Sequence, residues 1–380
     1  LNLGRLWGFG NTNPFEKSLF FAAVVFYLAK KSWNKSVVAG IFLITLSIFF
    51  FGVFSKYTGF AWSRLLMAYA ALVSIIGFFV AKPSPKDCDY MLQSISRLAP
   101  YILIYGLILA VLFGLPMFQK DHTGASRLGG AAIPAFMAAA SYASSIAAAY
   151  LFSVENKKRY LILSIFCIAL CALSGTRMPT VVAATSVSIV LFFSFKGAVG
   201  RLGLVFLGGT FAVGFLLTAG EQLLLRFESS SKSGRELLWN AVIAWAERYP
   251  WHGVGFGHHA ELIPERVSKL TGTFATHNEY IRLAAELGYL GAAIFIIGLF
   301  VVIFTAPRYL NKVQIISSLI VTLCFFVYAY SDNVFLLTYT LFGALAHVLG
   351  VQLISYRNAP SRSVEKSLFS SGHSHARVDK

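Results

Sequence analysis

A histidine and an arginine stand directly behind helix-start patterns in residues 229–291, the longest polar stretch of the chain. The patterns are Ser233-Gly-Arg-Glu and Thr276-His-Asn-Glu, and each has the Ser/Thr-x-x-Glu spacing of a capping box. Arg235 and His277 are therefore predicted in the first turns of two helices. The exposed N–H groups and the dipole of a helix start make such a turn receptive to anions.

His277 has the side chain best suited to accept a proton from a hydroxyl group. The positive potential of a helix start disfavours a second positive charge, so its imidazole is expected to stay neutral and to serve as a general base. Asn278 beside it could orient a sugar. Glu279 is interpreted as the capping-box partner rather than an acid, and Arg282 and Glu286 as a structural i, i+4 pair.

Three arginines have the chemistry to bind phosphate groups. Arg235 and Trp239 are four residues apart and share a helix face, where the indole can fix the guanidinium; a solvated arginine beside an interfacial tryptophan is the alternative. Arg177 stands in the short turn LSGTRMPT, and Arg127 stands in SRLGG. Each could snorkel to lipid headgroups, or they could form a diphosphate clamp together with Arg235.

Two further polar groups are assigned no chemistry. His258 and His259 precede Glu261, but adjacent histidines point apart and no cysteine stands near them, so neither a metal site nor a cofactor is predicted. The GVGFG run beside them lacks the strand–helix–strand context of a dinucleotide fingerprint, and it reads as a flexible turn. Asp332 and Asn333 could line a cavity, although a plain turn is favoured.

The elements that position these residues must lie in a membrane. Of the 380 residues, 57% are hydrophobic and 13% are charged, whereas soluble domains have about 25% charged residues. The chain is therefore predicted to be an all-α polytopic membrane protein. The net charge of +16 is interpreted as a determinant of membrane topology, with no nucleic-acid partner. The four cysteines suggest no disulfide framework.

Hydropathy predicts eleven membrane spans, at roughly 16–30, 36–54, 62–81, 98–118, 130–152, 159–173, 178–195, 202–219, 287–306, 313–330 and 334–355. Leu1 is not an initiator methionine, so a further span could precede it and bring the total to about twelve. The predicted domains are a membrane domain at 1–219, a catalytic loop at 220–286, a second membrane domain at 287–357 and a disordered tail at 358–380. His347 lies deep in the last span and has no assigned role.

Lysine and arginine are concentrated on every second connection between these spans. The richer set contains Lys30, Lys31, Lys35, Lys82, Lys86, Arg97, Lys157, Lys158, Arg159, Lys196, Arg201, Arg308, Lys312 and the basic residues of the tail. The positive-inside rule predicts that this set is cytoplasmic. The loop of residues 229–286 then faces outward, which in a bacterial inner membrane means the periplasm.

Four motifs in the C-terminal two-thirds of the chain resemble those of the O-antigen ligase / O-antigen polymerase superfamily. They are RLGGAAIP at Arg127, LSGTRMPT at Arg177, GRELLWNAVIAWAERYPWHGVGFG at Arg235 and THNEYIRLAAELGYLG at His277. The resemblance implies a glycosyltransferase with a large periplasmic helical loop and a fold like that of the C-type lipid-dependent glycosyltransferases. It implies transfer of a polysaccharide from undecaprenyl diphosphate to a sugar hydroxyl of lipid A–core, with inversion and without a metal or cofactor.

The resemblance also implies roles for single residues. The counterparts of Arg177 and Arg235 hold the diphosphate, and that of His277 activates the acceptor; Arg127 is added here as a third diphosphate ligand. Trp239, Asn278 and Tyr280 are expected to support them. The Arg-x10-Gly motifs frequent in polymerases are absent from the sequence, which favours a ligase.

Three alternatives remain open. An O-antigen or exopolysaccharide polymerase and a protein O-oligosaccharyltransferase would use the same donor. A polysaccharide transporter would instead need charges within the spans and two matched halves, and the sequence shows neither clearly.

Overall fold

The computed structural model describes the chain over residues 13–120, 126–195, 197, 200–203, 234–271, 273–304, 307, 309–335 and 338–360. The side chains of residues 13–18, 20, 234 and 235 are outside this description. Thirteen α-helices and one two-stranded sheet lie within the described ranges. The prediction of an all-α polytopic membrane protein is confirmed, because seven of these helices, and an eighth segment that joins two more of them (Pro85–Phe113), are long and apolar enough to cross a membrane.

The helices are α1 (Asn13–Ala29), α2 (Lys35–Val53), α3 (Trp62–Val80), α4 (Pro85–Ser96), α5 (Leu98–Phe113), α6 (Pro134–Glu155), α7 (Lys158–Leu173), α8 (Arg177–Ser194), α9 (Gly234–Arg248), α10 (Glu265–Thr271), α11 (Glu279–Ile303), α12 (Lys312–Ala329) and α13 (Thr338–Asn358). The strands are β1 (Phe118–Lys120) and β2 (Ser126–Leu128), paired antiparallel with Gln119 opposite Arg127. The predicted span at 202–219 and the tail beyond residue 360 lie outside the described residues.

Helix α4 was predicted as part of a loop, and this prediction is wrong. Ser84 caps it through a complete capping box, and Pro85 occupies its first turn. The helix buries only one stripe, which includes Cys88 and Leu92. Because its other face is polar, its average hydropathy is too low for a hydropathy scan to find it.

Helix α6 is the centre of the bundle. All of its residues from Met137 to Phe152 are buried, and it packs against α4, α7, α8 and α13. Small residues allow these close approaches. Where α13 crosses α6, the rings of Tyr142 and Tyr150 lie directly over Gly343 and Gly350, which have no side chain to obstruct them.

The connections form two groups at opposite ends of the helices. At the end that we call the loop side, Ser55 Oγ donates to the Gly253 carbonyl and Arg64 pairs with Glu261. The loop helix α9 packs on the first turns of α11 at this end.

The opposite end, which we call the basic side, is tied together by its own contacts. Lys31 pairs with Asp87, and Trp33 forms a β-bridge with Ala81. The Tyr356 hydroxyl at the end of α13 donates to the Pro83 carbonyl. The connections at each end therefore belong to one of the two sets that the alternation of lysine and arginine predicted.

Helix α11 breaks at Gly288, whose φ of 69° and ψ of 170° are not helical. The turn after α9 supplies hydrogen bonds that the break interrupts: Val254 N–H donates to the Ala285 carbonyl at 2.9 Å and Gly255 N–H to the Glu286 carbonyl at 2.8 Å. The Tyr289 N–H in turn donates to a carbonyl of this turn. The glycine-rich turn was predicted to be flexible, but hydrogen bonds to α11 fix it in the fold.

Its first glycine, Gly253, shows how close this fit is. Its φ is 63°, and a Cβ at this position would lie 2.3 Å from the carbonyl carbon of Glu286. Only glycine combines this backbone conformation with such an approach.

Candidate active site

The start of α11 places His277 differently from the sequence prediction. Helix α11 begins at Glu279, and its N-cap is Asn278, whose side-chain oxygen accepts from Tyr280 N–H at 3.0 Å and Ile281 N–H at 3.1 Å. The predicted capping box from Thr276 to Glu279 is therefore wrong. Asparagine is a stronger capping residue than threonine, and Asn278 lies two positions closer to the helix.

His277 consequently precedes the helix instead of lying in its first turn. Its φ of 51° is left-handed, which is uncommon for a residue with a Cβ. This conformation reverses the chain direction, and the imidazole projects from the turn towards the connection between α12 and α13. The side chain of Asn278 is buried by its capping role and is not presented to a substrate.

The imidazole of His277 meets the carboxylate of Asp332 in that connection. The distance from His277 Nδ1 to Asp332 Oδ1 is 3.3 Å, and the two side chains are 32% and 18% exposed. A carboxylate only accepts hydrogen bonds, so this pairing places a proton on Nδ1. In the neutral ring the lone pair is then on Nε2, which makes no hydrogen bond within the part of the chain that the structure describes.

The sequence interpretation of Asp332 as a plain turn residue was incomplete. Its Oδ1 does accept from the Asn333 N–H at 2.8 Å, as in an ordinary turn. The same oxygen also faces His277, which is 55 residues away in the chain. A carboxylate on one imidazole nitrogen fixes the ring and the tautomer, so that the other nitrogen can accept a proton.

Trp239 of α9 contacts a residue close to each member of this pair. Its indole N–H donates to the carbonyl of Thr276 at 2.9 Å, one residue before His277. Its ring also lies 5.9 Å from that of Tyr330, two residues before Asp332. The predicted supporting role of Trp239 therefore has a structural basis other than the expected contact with an arginine.

Arg235 lies one helical turn before Trp239, in the first turn of α9, as predicted. Its side chain is outside the described part of the structure. The contact of Trp239 with the Thr276 carbonyl places this part of α9 beside the segment that carries His277, and Arg235 lies about 6 Å further along the helix axis towards its start.

A buried ion network stands behind the pair. Arg282 is fully buried and binds Glu279 Oε2 at 2.5 Å and Glu286 Oε2 at 2.6 Å. The other oxygen of Glu279 accepts from Phe335 N–H at 2.8 Å, three residues after Asp332. Glu279 is thus an ion-pair partner and not a capping residue, and it ties the turn of Asp332 to the start of α11.

The second carboxylate of the network fixes the glycine-rich turn. Glu286 Oε1 accepts from Gly257 N–H and His259 N–H, each at 3.0 Å, and lies 3.0 Å from His259 Nδ1. The neighbouring His258 points elsewhere, with Nε2 accepting from Ala61 N–H at 2.9 Å. Both histidines therefore hold the loop in place, and the described residues contain no group of three or more metal-ligating side chains.

Arg127 and Arg177 meet at one turn on the loop side. Gly175 in that turn has a φ of 69°, and the Arg127 guanidinium donates to its carbonyl at 2.8 Å. Arg177 follows two residues later as the first residue of α8, and it is exposed. Helix α8 packs along α12, which runs in the opposite direction, so this turn is at the same end as Asp332.

Residues 162–296, about a third of the chain, match the family model described as O-antigen ligase. This match supports the resemblance of the chain to the O-antigen ligase superfamily. The match contains Arg177, Arg235 and His277, whereas Arg127 and Asp332 are outside it. No curated protein matches the chain. The match supports an enzyme of the O-antigen ligase and polymerase type.

The remaining polar residues that the sequence singled out have internal partners. The Tyr280 hydroxyl donates to the Phe326 carbonyl at 2.8 Å, which fixes the start of α11 to α12. His347 is buried between three hydroxyl groups, with Tyr150 at 2.7 Å, Thr322 at 3.2 Å and Ser318 at 3.3 Å. It is 2% exposed and lies at a distance from the loop side, so it is a packing residue.

The sequence contains a signal for the whole buried network, beyond the predicted pair of Arg282 and Glu286. Glu279, Arg282 and Glu286 are spaced three and four residues apart, and therefore lie on one helical face. Apolar residues follow them directly in α11. Charges of opposite sign on one stripe next to a membrane span are typical of a buried ion network.

Replacing Trp239 with phenylalanine tests its positioning role beside His277. The ring contact with Tyr330 is kept, and only the N–H bond to Thr276 is lost. A hydrogen bond contributes about 0.5–1.5 kcal/mol, so we expect a roughly two- to tenfold lower turnover rate with unchanged insertion. Trp251→Phe, at a tryptophan that is 74% exposed, is the matched control. Equal effects of the two changes would contradict the positioning role.

Proposed function

We propose that the chain is an inner-membrane glycosyltransferase of the ligase type. It moves a polysaccharide from undecaprenyl diphosphate to a sugar hydroxyl of lipid A–core at the periplasmic face. The observation that carries this proposal is the pairing of His277 Nδ1 with Asp332, 3.3 Å apart, which leaves Nε2 as a proton acceptor on the loop side.

In the proposed reaction the acceptor hydroxyl gives its proton to His277 Nε2. Its oxygen forms a bond to the anomeric carbon of the donor while the bond from that carbon to the diphosphate oxygen breaks. Undecaprenyl diphosphate leaves with the electron pair, and a single displacement of this kind inverts the anomeric configuration. Asp332 stabilises the imidazolium ion that forms.

The leaving group develops negative charge, and cations on the loop side are placed to stabilise it. Arg177 at the start of α8 combines a guanidinium with the positive end of a helix dipole. Arg127 bonds to the turn directly before it, and Arg235 starts the loop helix. Arginines at these positions would supply the charge stabilisation that transfer from a diphosphate requires.

The membrane orientation follows from the distribution of charge. The basic side contains the connections rich in lysine and arginine, so we assign it to the cytoplasm. The loop side is then periplasmic, where lipid-linked polysaccharide and lipid A–core are both exposed.

The lipopolysaccharide of a strain that lacks this chain tests the proposal. If the chain is a ligase, the gel shows core without attached polymer while lipid-linked polymer accumulates. A core that still bears a single repeat unit would identify a polymerase instead. Glycoproteins that lose their glycan, with lipopolysaccharide unchanged, would identify a protein O-oligosaccharyltransferase. Polymer trapped on the cytoplasmic side would support a transporter.

Replacement of Arg177 by lysine tests the phosphate assignment. Lysine keeps the charge and can still snorkel to headgroups, but it loses the planar fork that binds two phosphate oxygens at once. We expect a roughly ten- to hundredfold lower rate of transfer, with a larger KM for the lipid-linked donor, since each tenfold is about 1.4 kcal/mol. Arg266→Lys changes an exposed arginine in α10 on the same side and is the control. A normal rate in Arg177→Lys would favour headgroup snorkelling.

A further inference from the structure

A second polar site lies on the basic side, at the opposite end of the helices from His277. It is a groove of about 540 Å³ formed by the starts of α4 and α7 and the ends of α6 and α13. Helices α6 and α13 contain 22 and 21 residues. At about 1.5 Å per residue they separate the groove from the loop side by about 30 Å. This is the thickness of a bilayer's hydrocarbon core, so the groove is level with a headgroup layer.

The charged lining of the groove is predominantly cationic. It consists of four cations and two carboxylates, Lys86, Lys157, Arg159, Arg357, Asp89 and Glu155. Both carboxylates already have partners inside the groove: Glu155 pairs with Lys157 at 2.5 Å, and Asp89 accepts from Gln93 at 2.9 Å. The groove therefore has an excess of positive charge.

Two of the cations are available for a ligand. Lys86 and Arg357 form no salt bridge with any residue in the described ranges, and they project from different helices into one concavity. Arg159 donates one N–H to the Tyr160 hydroxyl at 2.9 Å and stacks on the same ring, which orients its remaining donors. Cations from three separate segments can approach one anion from different directions.

Helix dipoles of both signs meet at the groove. The 12-residue α4 and the 16-residue α7 begin there with their positive ends, and α6 and α13 end there with their negative ends. These dipoles oppose one another, so the excess of positive charge comes from the side chains. The wall also contains the buried apolar residues Val154 and Leu353.

We propose that this groove binds the phosphodiester headgroup of an anionic phospholipid. Phosphate oxygens match the guanidinium and ammonium donors, and the apolar wall suits the glycerol and first methylenes of the lipid. The position at headgroup depth favours a lipid over a soluble phosphate, although the phosphate chemistry is common to both. The site is independent of the proposed glycan transfer.

Native mass spectrometry of the full chain in neutral detergent, titrated with cardiolipin, tests this proposal. The groove variant combines Lys86→Gln with Arg357→Gln. The control combines Lys82→Gln with Lys312→Gln, which removes two exposed charges from the same side outside the groove. We expect cardiolipin to bind the groove variant at least tenfold more weakly than the wild type, and the control to match the wild type.

Two further arms separate the sources of phosphate. Phosphatidylcholine should bind all three proteins weakly and equally, and inorganic phosphate at millimolar concentration should not displace cardiolipin. Equal cardiolipin binding by the groove variant and the wild type would overturn the proposal, as would equal weakening in the control. Groove-dependent binding of inorganic phosphate without binding of cardiolipin would overturn the assignment to a lipid. Size-exclusion profiles of the variants establish that they remain folded.

Discussion

Replacing His277 with asparagine is expected to lower the rate of glycan transfer by about a hundred- to ten-thousandfold, the usual contribution of a positioned general base. Asparagine tolerates the left-handed φ of 51° at this position better than alanine does, so the turn before α11 is preserved. It cannot accept the acceptor's proton. The measurement is transfer of a lipid-linked glycan to lipid A–core by the purified chain.

His252→Asn is the matched control for this change. His252 is a half-buried histidine in the turn after α9, on the same side of the membrane, and the proposed reaction does not use it. Asp332→Asn should lower the rate less than His277→Asn does, because the imidazole remains but its tautomer and orientation are no longer fixed. Near-normal transfer by His277→Asn would exclude the base assignment, whatever the effect of Asp332→Asn.

Replacing Arg282 with leucine is expected to reduce stability more than any other single change considered. Arg282, Glu279 and Glu286 are all fully buried, so the substitution leaves two carboxylates without their cation. Breaking a buried ion pair in this way costs about 3–5 kcal/mol. The expected result is a much lower thermal midpoint in detergent and little folded protein in the membrane.

A neutral version of the same network provides the decisive comparison. The triple variant Glu279→Gln, Arg282→Leu and Glu286→Gln removes all three charges together, and glutamine oxygens can still accept from the Phe335 and Gly257 N–H groups. It should be more stable than Arg282→Leu alone, because replacing all members of a buried ion network is often close to neutral. A triple variant that is no more stable than the single one would show that the loss reflects packing of the arginine stem.

The sequence predicted the membrane helices because a lipid environment requires only long apolar segments, and Lys35–Val53 and Glu279–Ile303 satisfy this without ambiguity. It did not predict α4, whose apolar residues form a single stripe, or the short strands that bring Arg127 to Gly175. Both depend on packing against neighbouring helices, which a local sequence pattern does not show.

The site was only partly predictable for a related reason. Local patterns identified His277 and Trp239, but the capping box at Thr276 competed with a second capping residue, Asn278, that the helix uses instead. Both oxygens of Glu279 have partners other than the Thr276 N–H, because Arg282 binds Oε2 and the Phe335 N–H donates to Oε1, so the capping box does not form. The partnership of His277 with Asp332 joins residues in different connections, and no local pattern specifies it.

The break at Gly288 also bears on the order in which the chain is made and inserted. The ribosome synthesises the turn of residues 250–257 before the second half of α11, so the donors for Ala285 and Glu286 are made before the carbonyls that they serve. Once both segments have been made, the turn completes backbone hydrogen bonds that the break in α11 interrupts. The charged residues of α11 all precede the break, so the turn contacts the helix where its charged half meets its apolar half. The turn thus fixes the charged half of α11, and with it the segment that carries His277, relative to the apolar half.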